Sequence, residues 1–578
     1  MASRTGTAHV VTTRREYNGK VYCTYLLRRS YREDGKVKNE TLGNLSHLPD
    51  SVIDLIRRSL QGETFVPAGE SFAISSSRAH GHVQAVGLAM QRLGFASLLA
   101  TKPCAERDLV QAMVASRILC PATKLATTRL WHTSTLAEEF GVADATEDDL
   151  YGAMDWLLAA QDRIQKKLAA RHLQEDSLVL YDLSSSYFEG QHCPLAKLGY
   201  SRDGKRGTLQ VNYGLLTDER GCPVAISVHE GNTSDSTTFM PQVKRLREQF
   251  GVRRMVMVGD RGMISQKAID EMSEDADVSW ITALRSSSIR TLVEQRHLQL
   301  GLFDERNLLE ISSPDFPGER LVACRNTELA KMRAHTRDDL LAATQRSLER
   351  IKVRVDTAKL LGQDKIGVAV GKVVNTYKVA KHFELFITDN SFTFARLGDS
   401  IAAEAALDGL YIIRTSVKAA RMDAPTCVRT YKSLSQVERA FRSIKTMDLK
   451  VRPIHHHLEA RVRAHIFLCM LAYYVEWHMR QAWAALMFAD EDQTAKLTRD
   501  PVAPAKRSEA AMKKVRRRTL EDGTPTHSFQ TLLRELETVV RNTCRTSTSE
   551  SDAPTFQITT TQNDKQKRAL ELIAEIKP

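Results

Sequence analysis

The sequence lacks a long hydrophobic run, which excludes a protein that spans a membrane by helices. Its longest apolar stretch covers only residues 466–475, whereas a membrane-spanning helix needs about 20 apolar residues. The N-terminus has no apolar segment of the kind found in secretory signals. We therefore expect a cytoplasmic protein with no membrane partner.

Paired cysteines are missing as well. The nine cysteines occur singly between Cys23 and Cys544, and none belongs to a Cys-x-x-Cys motif. This pattern predicts reduced thiols, and it indicates neither a disulfide framework nor a thiolate zinc site. Residues 455–457 are three consecutive histidines, whose side chains point in different directions and have no matching Cys or His group nearby. We interpret them as the polar start of a helix.

The chain also has no excess of acidic residues. It carries 82 Lys and Arg against 70 Asp and Glu, a formal net charge of +12, and a pI near 9.2. Such a balance favours polyanionic partners, with nucleic acid as the main candidate. A content of 42% hydrophobic and 26% charged residues is typical of a globular chain. At about 150 residues per domain, its 578 residues imply about three or four domains.

Shifts in the apolar pattern divide the chain into regions, with a Gly- and Ser-containing linker expected at 69–77. We predict the following set: a small β-rich N-terminal domain at 1–66; a helical DNA-binding or pairing domain at 82–174; a core at 177–285 and 409–485; an inserted domain at 286–408; and a helical, basic C-terminal region at 486–578.

The core region has the pattern of an α/β fold, a mixed sheet flanked by helices. Its apolar segments predict strands near 177–187, 209–217, 223–229, 254–260 and 278–284, helices near 235–250 and 264–275, and, after the insertion, a strand at 410–415 and helices near 433–446 and 457–485. Three consecutive strands joined by short turns imply antiparallel pairing, and strands that follow helices imply parallel additions.

Three acidic residues stand where a fold rarely places a carboxylate. Asp182 interrupts the apolar run 178–183, Asp260 ends the run 255–260, and Glu438 lies beside the apolar stripe of a predicted helix. A buried carboxylate must be paired, hydrogen-bonded or bound to metal, because an uncompensated buried charge is strongly destabilising. Three converging acids favour a Mg²⁺ site. Asp182 and Asp260 can lie side by side if their strands are neighbours in the sheet.

Each acid also has a purely structural interpretation. Asp260 begins Asp-Arg-Gly, which is a good turn sequence. Asp182 could instead cap a turn at residues 184–186 or pair with an arginine. The sequence from Ser435 to Glu438 matches a capping box, so Glu438 could cap its own helix.

The segment around Glu438 adds basic residues to this picture. Tyr431, Glu438 and Lys445 are spaced by seven residues, which returns side chains to almost the same face of a helix. Lys445 and Arg442 are therefore candidates for contacts with a phosphate. The alternative for both is an ordinary solvated basic face.

The chain resembles the DDE transposases of bacterial insertion sequences, in their hairpin-forming cut-and-paste branch. The resemblance rests on four segments, residues 180–188, 231–235, 258–263 and 431–445. After the second Asp, this family has Tyr, two residues, Arg, three residues, Glu, six residues and Lys. Tyr431, Glu438 and Lys445 fit that register, but Leu434 stands where Arg is expected.

The resemblance implies an RNase H-like core in which Asp182, Asp260 and Glu438 are catalytic ligands of Mg²⁺, which Mn²⁺ can replace. It implies that Tyr431 and Lys445 position DNA phosphates. The loop 202–206 is a second candidate DNA contact through Lys205 and Arg206, and its alternative is a charged hairpin turn.

The function implied is that of a nucleoid-associated transposase. It would bind the terminal inverted repeats of its element, pair two ends as a homodimer, cut double-stranded DNA and join the ends to a target. Two other functions stay open: a structure-selective RNase H-like nuclease without strand transfer, and a domesticated DNA-binding protein without catalysis.

Overall fold

A computed structural model describes residues 6–33, 35–65, 72–190, 192–205, 207–546 and 554–577. The strands within these ranges are, in chain order, β1 Thr7–Tyr17, β2 Lys20–Glu33, β3 Lys36–Asn44, β4 Phe72–Ala79, β5 Ser177–Tyr187, β6 Lys197–Leu198, β7 Leu209–Asp218, β8 Pro223–Glu230, β9 Met255–Val258, β10 Val278–Ala283, β11 Leu308–Ile311, β12 Arg320–Arg325, β13 Phe383–Ile387, β14 Phe392–Arg396, β15 Leu410–Thr415, β16 Val540–Thr546 and β17 Thr555–Thr559.

The α-helices are, in chain order, α1 Asp50–Leu60, α2 Gly81–Arg92, α3 Phe95–Leu99, α4 Ala105–Leu119, α5 Lys124–Leu130, α6 Leu136–Glu139, α7 Glu147–Ala159, α8 Gln161–His172, α9 Asp235–Glu248, α10 Gln266–Ser273, α11 Ser286–Glu294, α12 Thr327–Asp356, α13 Gln363–Thr376, α14 Gly398–Ala405, α15 Ala424–Lys432, α16 Leu434–Arg442, α17 Glu459–Ala482, α18 Gln493–Thr498, α19 Glu509–Arg517, α20 Phe529–Glu537 and α21 Asp564–Ala574. The chain divides into two compact units, residues 1–77 with 541–559, and residues 78–540 with 560–578.

The first unit contains two small sheets. Strands β1, β2 and β3 form an antiparallel meander. Helix α1 lies against it and buries Ile53, while the Arg57 guanidinium stacks over the Tyr25 ring. The second sheet has the order β17-β16-β4, and the rings of Phe72 and Phe556 pack edge to face across it, with centroids 5.9 Å apart.

This second sheet corrects two expectations. Much of the predicted linker at 69–77 is strand β4, whereas residues 69–71 lie outside the described residues. The C-terminal region at 486–578 is not wholly helical, because it supplies β16 and β17. The Ser75 hydroxyl donates a hydrogen bond to the Thr543 carbonyl, 468 residues away. A local sequence pattern cannot reveal pairing over such a separation.

The second unit is built on a nine-stranded mixed sheet. Its order is β11-β12-β15-β10-β9-β5-β7-β6, with β8 paired to β7. Strands β5, β9 and β10 are parallel, whereas β5, β7 and β8 are antiparallel. The prediction of a mixed α/β sheet is therefore confirmed. The strands predicted between residues 177 and 284 begin and end close to their predicted limits, whereas the two-residue strand β6 was not predicted.

The prediction of one inserted domain at 286–408 is wrong for its first part. Strands β11 and β12 join the main sheet, because β12 pairs with β15 from Arg320↔Thr415 to Arg325↔Leu410. The physical reason is that residues 321–324 are all buried and need cover on both faces. A smaller hydrophobic cluster packs α11 against β12 and β15 of this sheet, and a core away from the sheet forms between α12, α13, β13 and β14.

Helix α17 runs through the interior of the second unit. Every side chain from His465 to Met479 is buried, and the helix contacts α4, α7 and β8. It includes the longest apolar run of the sequence. Even so, no helix in the described part of the chain combines the length and apolar character needed to cross a membrane.

Candidate active site

Asp182 and Asp260 lie at the same level of two neighbouring parallel strands. Leu180 on β5 pairs with Val258 on β9, and each acid follows its strand's paired residue by two positions. Residues two apart on a strand point to the same face. The sequence-based condition for a shared site, that these strands are neighbours in the sheet, is thus met.

The Asp182 carboxyl group is largely buried and electrostatically strained. Its pKa is raised to about 7, mainly by burial and also by the carboxylates of Asp260 and Glu438, while the Leu183 N–H and Arg202 oppose the shift. The Leu183 N–H donates to Oδ1 at 2.8 Å. The alternative in which Asp182 caps a turn at 184–186 is wrong, because β5 continues through these residues to Tyr187.

Asp260 forms the turn that its sequence predicts. Its Oδ1 accepts hydrogen bonds from the backbone N–H groups of Gly262, at 2.9 Å, and Met263, at 2.7 Å. These bonds fix the carboxyl group just beyond the end of β9. Both bonds use one oxygen, so the turn interpretation and a ligand role for the other oxygen are compatible.

Glu438 does not cap its helix. Helix α16 begins at Leu434 after Ser433, which makes no side-chain capping bond. Ser435 therefore lies inside the helix and cannot be its N-cap, so the capping-box interpretation is wrong. Glu438 is exposed near the middle of α16, and its carboxylate is close enough to raise the pKa of Asp182.

The three acids line one open cleft with a volume of about 530 Å³. The cleft is also lined by four cationic side chains, Arg202, Arg442, Lys445 and Arg452. A concave surface that combines carboxylates with cations can hold a divalent cation and a polyanion together.

Tyr431 lies beside the acids on α15. Burial raises its pKa to about 12, with further upward shifts from Asp260, Glu438 and Asp182 and an opposing one from Arg261. The phenol therefore stays protonated and can donate a hydrogen bond. Leu434, which replaces the family's Arg, packs against the hydrophobic core at the start of α16.

Lys445 is placed by a break in helical geometry that its seven-residue spacing did not predict. Residues 443–447 form a π-helical turn after α16. The Lys445 side chain is buried, forms an ion pair with Asp203 at 2.6 Å and donates to the Ser184 hydroxyl at 3.1 Å. A solvated basic face is therefore wrong for Lys445, whereas Arg442 is exposed.

Asp203 is a site residue that the sequence reasoning missed. Its side chain is 3% exposed and bridges two cations, Lys445 and Arg452, each at 2.6 Å. It also accepts the Tyr187 backbone N–H at 3.2 Å. The only available signal was its position in the basic loop 202–206 that had been selected for its Lys and Arg residues.

The other members of that loop are held in different ways. Arg202 forms an ion pair with Asp235, which ends the segment 231–235. The Lys205 ammonium lies 3.5 Å from the centroid of the Tyr187 ring, a cation–π contact. Arg206 lies outside the described residues.

A mixed α/β core with a cleft lined by carboxylates and cationic side chains is expected in an enzyme that catalyses phosphoryl transfer on a polyanion. Residues 174–475, more than half of the chain, match the family model "Transposase DDE domain", and residues 10–68 match "IS1634 family transposase, N-terminal domain". The chain therefore belongs to the DDE transposases of bacterial insertion sequences. As the sequence predicted, it is a DNA-recombining enzyme, and its family uses divalent metal ions.

Among solved structures, the chain matches one described as "Cryo-EM structure of piggyBac transposase synaptic complex with hairpin DNA". The TM-score is 0.34 and the sequence identity 9%, over 79% of each chain. A score this low supports no further statement about this chain. No curated protein matches it.

Proposed function

We propose that this transposase moves its element by Mg²⁺-dependent cut-and-paste transposition, with Asp182, Asp260 and Glu438 as the ligands of the catalytic ions. The main support is the common register of β5 and β9, which brings two of the acids to one edge of the sheet. Glu438 from α16 lines the same cleft. In this proposal the sheet and its helices are an RNase H-like core.

The donor set fits Mg²⁺, or Mn²⁺ in its place. All three side chains offer hard carboxylate oxygens, which these ions prefer. The raised pKa of Asp182 has neighbouring carboxylates among its causes, and a cation between like charges would relieve that repulsion. When bound, the ions would polarise the scissile phosphate and activate the attacking oxygen.

The cationic side chains that line the cleft would hold the DNA backbone. Three of them are already fixed by carboxylates, Arg202 by Asp235, and Lys445 and Arg452 by Asp203. A side chain that is fixed in advance loses less conformational entropy when it meets a phosphate. Tyr431, Arg442, Lys205 and Arg206 complete the proposed DNA contacts.

The reaction has two parts in this proposal. Hydrolysis at each element end breaks a phosphodiester bond and leaves a 3′-hydroxyl. That hydroxyl then attacks a phosphorus atom of target DNA; the new P–O bond forms as the target's own bond to its 3′-oxygen breaks, and that oxygen leaves as a hydroxyl. A homodimer on the nucleoid would pair the two ends before cutting.

The test is a cleavage and strand-transfer assay with labelled duplex DNA from the borders of the element. The variants are Asp182→Asn, Asp260→Asn and Glu438→Gln, and the matched control is Asp270→Asn, an exposed acid on α10 of the same core. We expect each of the three variants to lose about 10²–10³-fold or more in cutting rate, since removal of one charge-stabilising group costs about 10²–10³-fold in other enzymes. DNA binding in a gel-shift assay should stay near wild type.

The outcomes separate the competing functions. Cutting by Asp182→Asn at the wild-type rate would refute the assignment of the site. Cut products without joined products, in wild-type protein with target DNA present, would favour a nuclease. DNA binding without any Mg²⁺-dependent nicking by wild-type protein would favour a non-catalytic DNA-binding protein.

A further inference from the structure

Away from the cleft, two imidazoles and a thiol converge at one point inside the second unit. The Cys222 Sγ lies 4.0 Å from the Nε2 of His172 and 3.9 Å from the Nε2 of His478. The three ligand atoms all lie within 4.8 Å of one another. In the described parts of the chain no other three His, Cys, Asp or Glu side chains meet this closely, the acids of the cleft included.

The three residues come from three separate elements. His172 is the last residue of α8, Cys222 ends the turn between β7 and β8, and His478 lies on α17. The turn is fixed independently of the histidines, because the Asp218 Oδ1 accepts the backbone N–H of Cys222 at 2.9 Å. The backbone that carries the Cys222 thiol is therefore held in place by a hydrogen bond to Asp218.

The distances fit a tetrahedral ion. With bonds of about 2.3 Å to sulfur and about 2.05 Å to nitrogen, a tetrahedral Zn²⁺ sets the S···N separation at about 3.6 Å. The S···N separations of 3.9 and 4.0 Å need only a few tenths of an ångström of closure. The two imidazole nitrogens, which lie within 4.8 Å of each other, would have to approach to about 3.3 Å. Zn²⁺ prefers imidazole and thiolate ligands, whereas Mg²⁺ prefers oxygen ligands.

The protonation states suit coordination by the imidazoles. Burial lowers the pKa of His172 to about 4 and that of His478 to about 3, so both rings are neutral at physiological pH and offer lone pairs. Burial raises the pKa of the Cys222 thiol. Binding would therefore form the Zn–S bond and release the thiol proton to solvent.

The fourth position faces Tyr474. Its hydroxyl lies 3.1 Å from the Nε2 of His172, and its ring is 4.8 Å, centroid to centroid, from that of His478 one helical turn away. On binding, the Tyr474 hydroxyl would exchange its bond to the His172 nitrogen for one to a water molecule in the fourth position.

We propose that His172, Cys222 and His478 form a Zn²⁺ site that ties the end of α8 and the β7–β8 turn to helix α17. The site is separate from the acidic cleft and uses a different class of ligands. The proposal does not depend on the reaction proposed for the cleft, so either can fail alone.

The experiment measures metal in untagged full-length protein that is expressed with zinc and then dialysed against a weak chelator. Elemental analysis should find one zinc per chain. Cobalt exchanged into the site should give a thiolate-to-metal charge-transfer band and the intense visible bands of a tetrahedral ion. The Asp182→Asn/Asp260→Asn double variant should keep both signals, because the cleft does not supply these ligands.

The ligand variants are Cys222→Ser and His478→Gln, and the matched control is Cys469→Ser. Cys469 is buried with its Sγ 4.0 Å from the Nε2 of His465, the same kind of pair, but it is not part of a three-residue group. We expect the ligand variants to lose the zinc and the control to keep it. Zinc-free wild-type protein without a cobalt charge-transfer band overturns the proposal, and so does an unchanged zinc content in Cys222→Ser. The wild-type cobalt spectrum decides the question even if a ligand variant does not fold.

Discussion

Replacement of Asp203 by Asn should destabilise the protein far more than loss of an exposed ion pair does. The Asp203 side chain is 3% exposed, and its two partners, Lys445 and Arg452, are 11% and 20% exposed. Removal of one partner from a buried ion pair costs about 3–5 kcal/mol, because the remaining charge is left unpaired in a poorly hydrated site. Since both partners retain some contact with water, we expect the lower end, about 3 kcal/mol.

The matched control is Asp356→Asn. Asp356 pairs with Lys352 at 2.8 Å, but the two side chains are 50% and 41% exposed, so its loss should cost less than about 1 kcal/mol. In a thermal melt, about 2–4 °C per kcal/mol for a large domain gives a drop of about 6–12 °C for Asp203→Asn. The double variant Asp203→Asn/Lys445→Met should regain part of that drop, because it removes one unpaired cation. Equal small shifts for Asp203→Asn and Asp356→Asn would refute the view of Asp203 as the anchor of the cleft's cations.

Three further predictions concern separate parts of the molecule. Because the pKa of Asp182 is raised to about 7, protons compete with the metal below that pH. The Mg²⁺ affinity measured by calorimetry should therefore fall as the pH drops from 8 to 6. An affinity independent of pH would contradict this. Burial also raises the pKa of Glu476 to about 7, so the neutral acid stabilises the fold at low pH and this stability is lost as the pH rises through 7. Glu476→Gln should therefore flatten the decline in melting temperature between pH 5 and 8, whereas a decline as steep as in wild type would exclude Glu476 as its source. A Cβ at Gly231 would lie 1.9 Å from the backbone oxygen of Gln210, so Gly231→Ala should lower the melting temperature. Gly152→Ala, at an exposed position of helix α7 where a Cβ meets nothing within 4 Å, should not lower it.

A hydrogen-bond network that includes Ser443 connects Glu476 to the acidic cleft. The Ser443 hydroxyl lies 2.9 and 3.0 Å from the two Glu476 oxygens and 2.9 Å from Asp448. Arg480 also donates to both carboxylates, to the Glu476 Oε1 at 2.5 Å and to the Asp448 Oδ2 at 2.7 Å. Since the Ser443 hydroxyl has only one hydrogen, a protonated Glu476 adds a donor to this network. Ser443 begins the π-helical turn that carries Lys445, and the network fixes that turn to α17.

The sequence was most informative where structure is local. An apolar run that meets an acid signals a buried strand with a polar end, and this pattern identified Asp182 and Asp260 together with the strands that carry them. The two acids are close together because β5 and β9 are parallel and pair Leu180 with Val258, and each acid lies two residues beyond its paired residue. The apolar pattern was sufficient to predict these strands because their buried side chains are close together in the sequence.

The sequence was least informative where contacts join distant segments. Regular helical spacing could not anticipate the π-helical turn at 443–447, which depends on packing against α17. The same limit applies to the proposed Zn²⁺ site: Cys222 lies 50 residues from His172 and 256 from His478, so ligand spacing along the sequence could not indicate it. Strand β12 was assigned to the insertion for a related reason, since its partner β15 lies beyond that insertion.

The most direct test of the central claim is to map where a bound divalent ion sits. Fe²⁺ loaded in place of Mg²⁺, with ascorbate and peroxide, cuts the polypeptide next to the ion, and the fragments can be sequenced by mass spectrometry. The account predicts cuts near Asp182, Asp260 and Glu438 that excess Mg²⁺ suppresses. Cuts confined to other parts of the chain, or cuts at these residues that Mg²⁺ does not suppress, would contradict it.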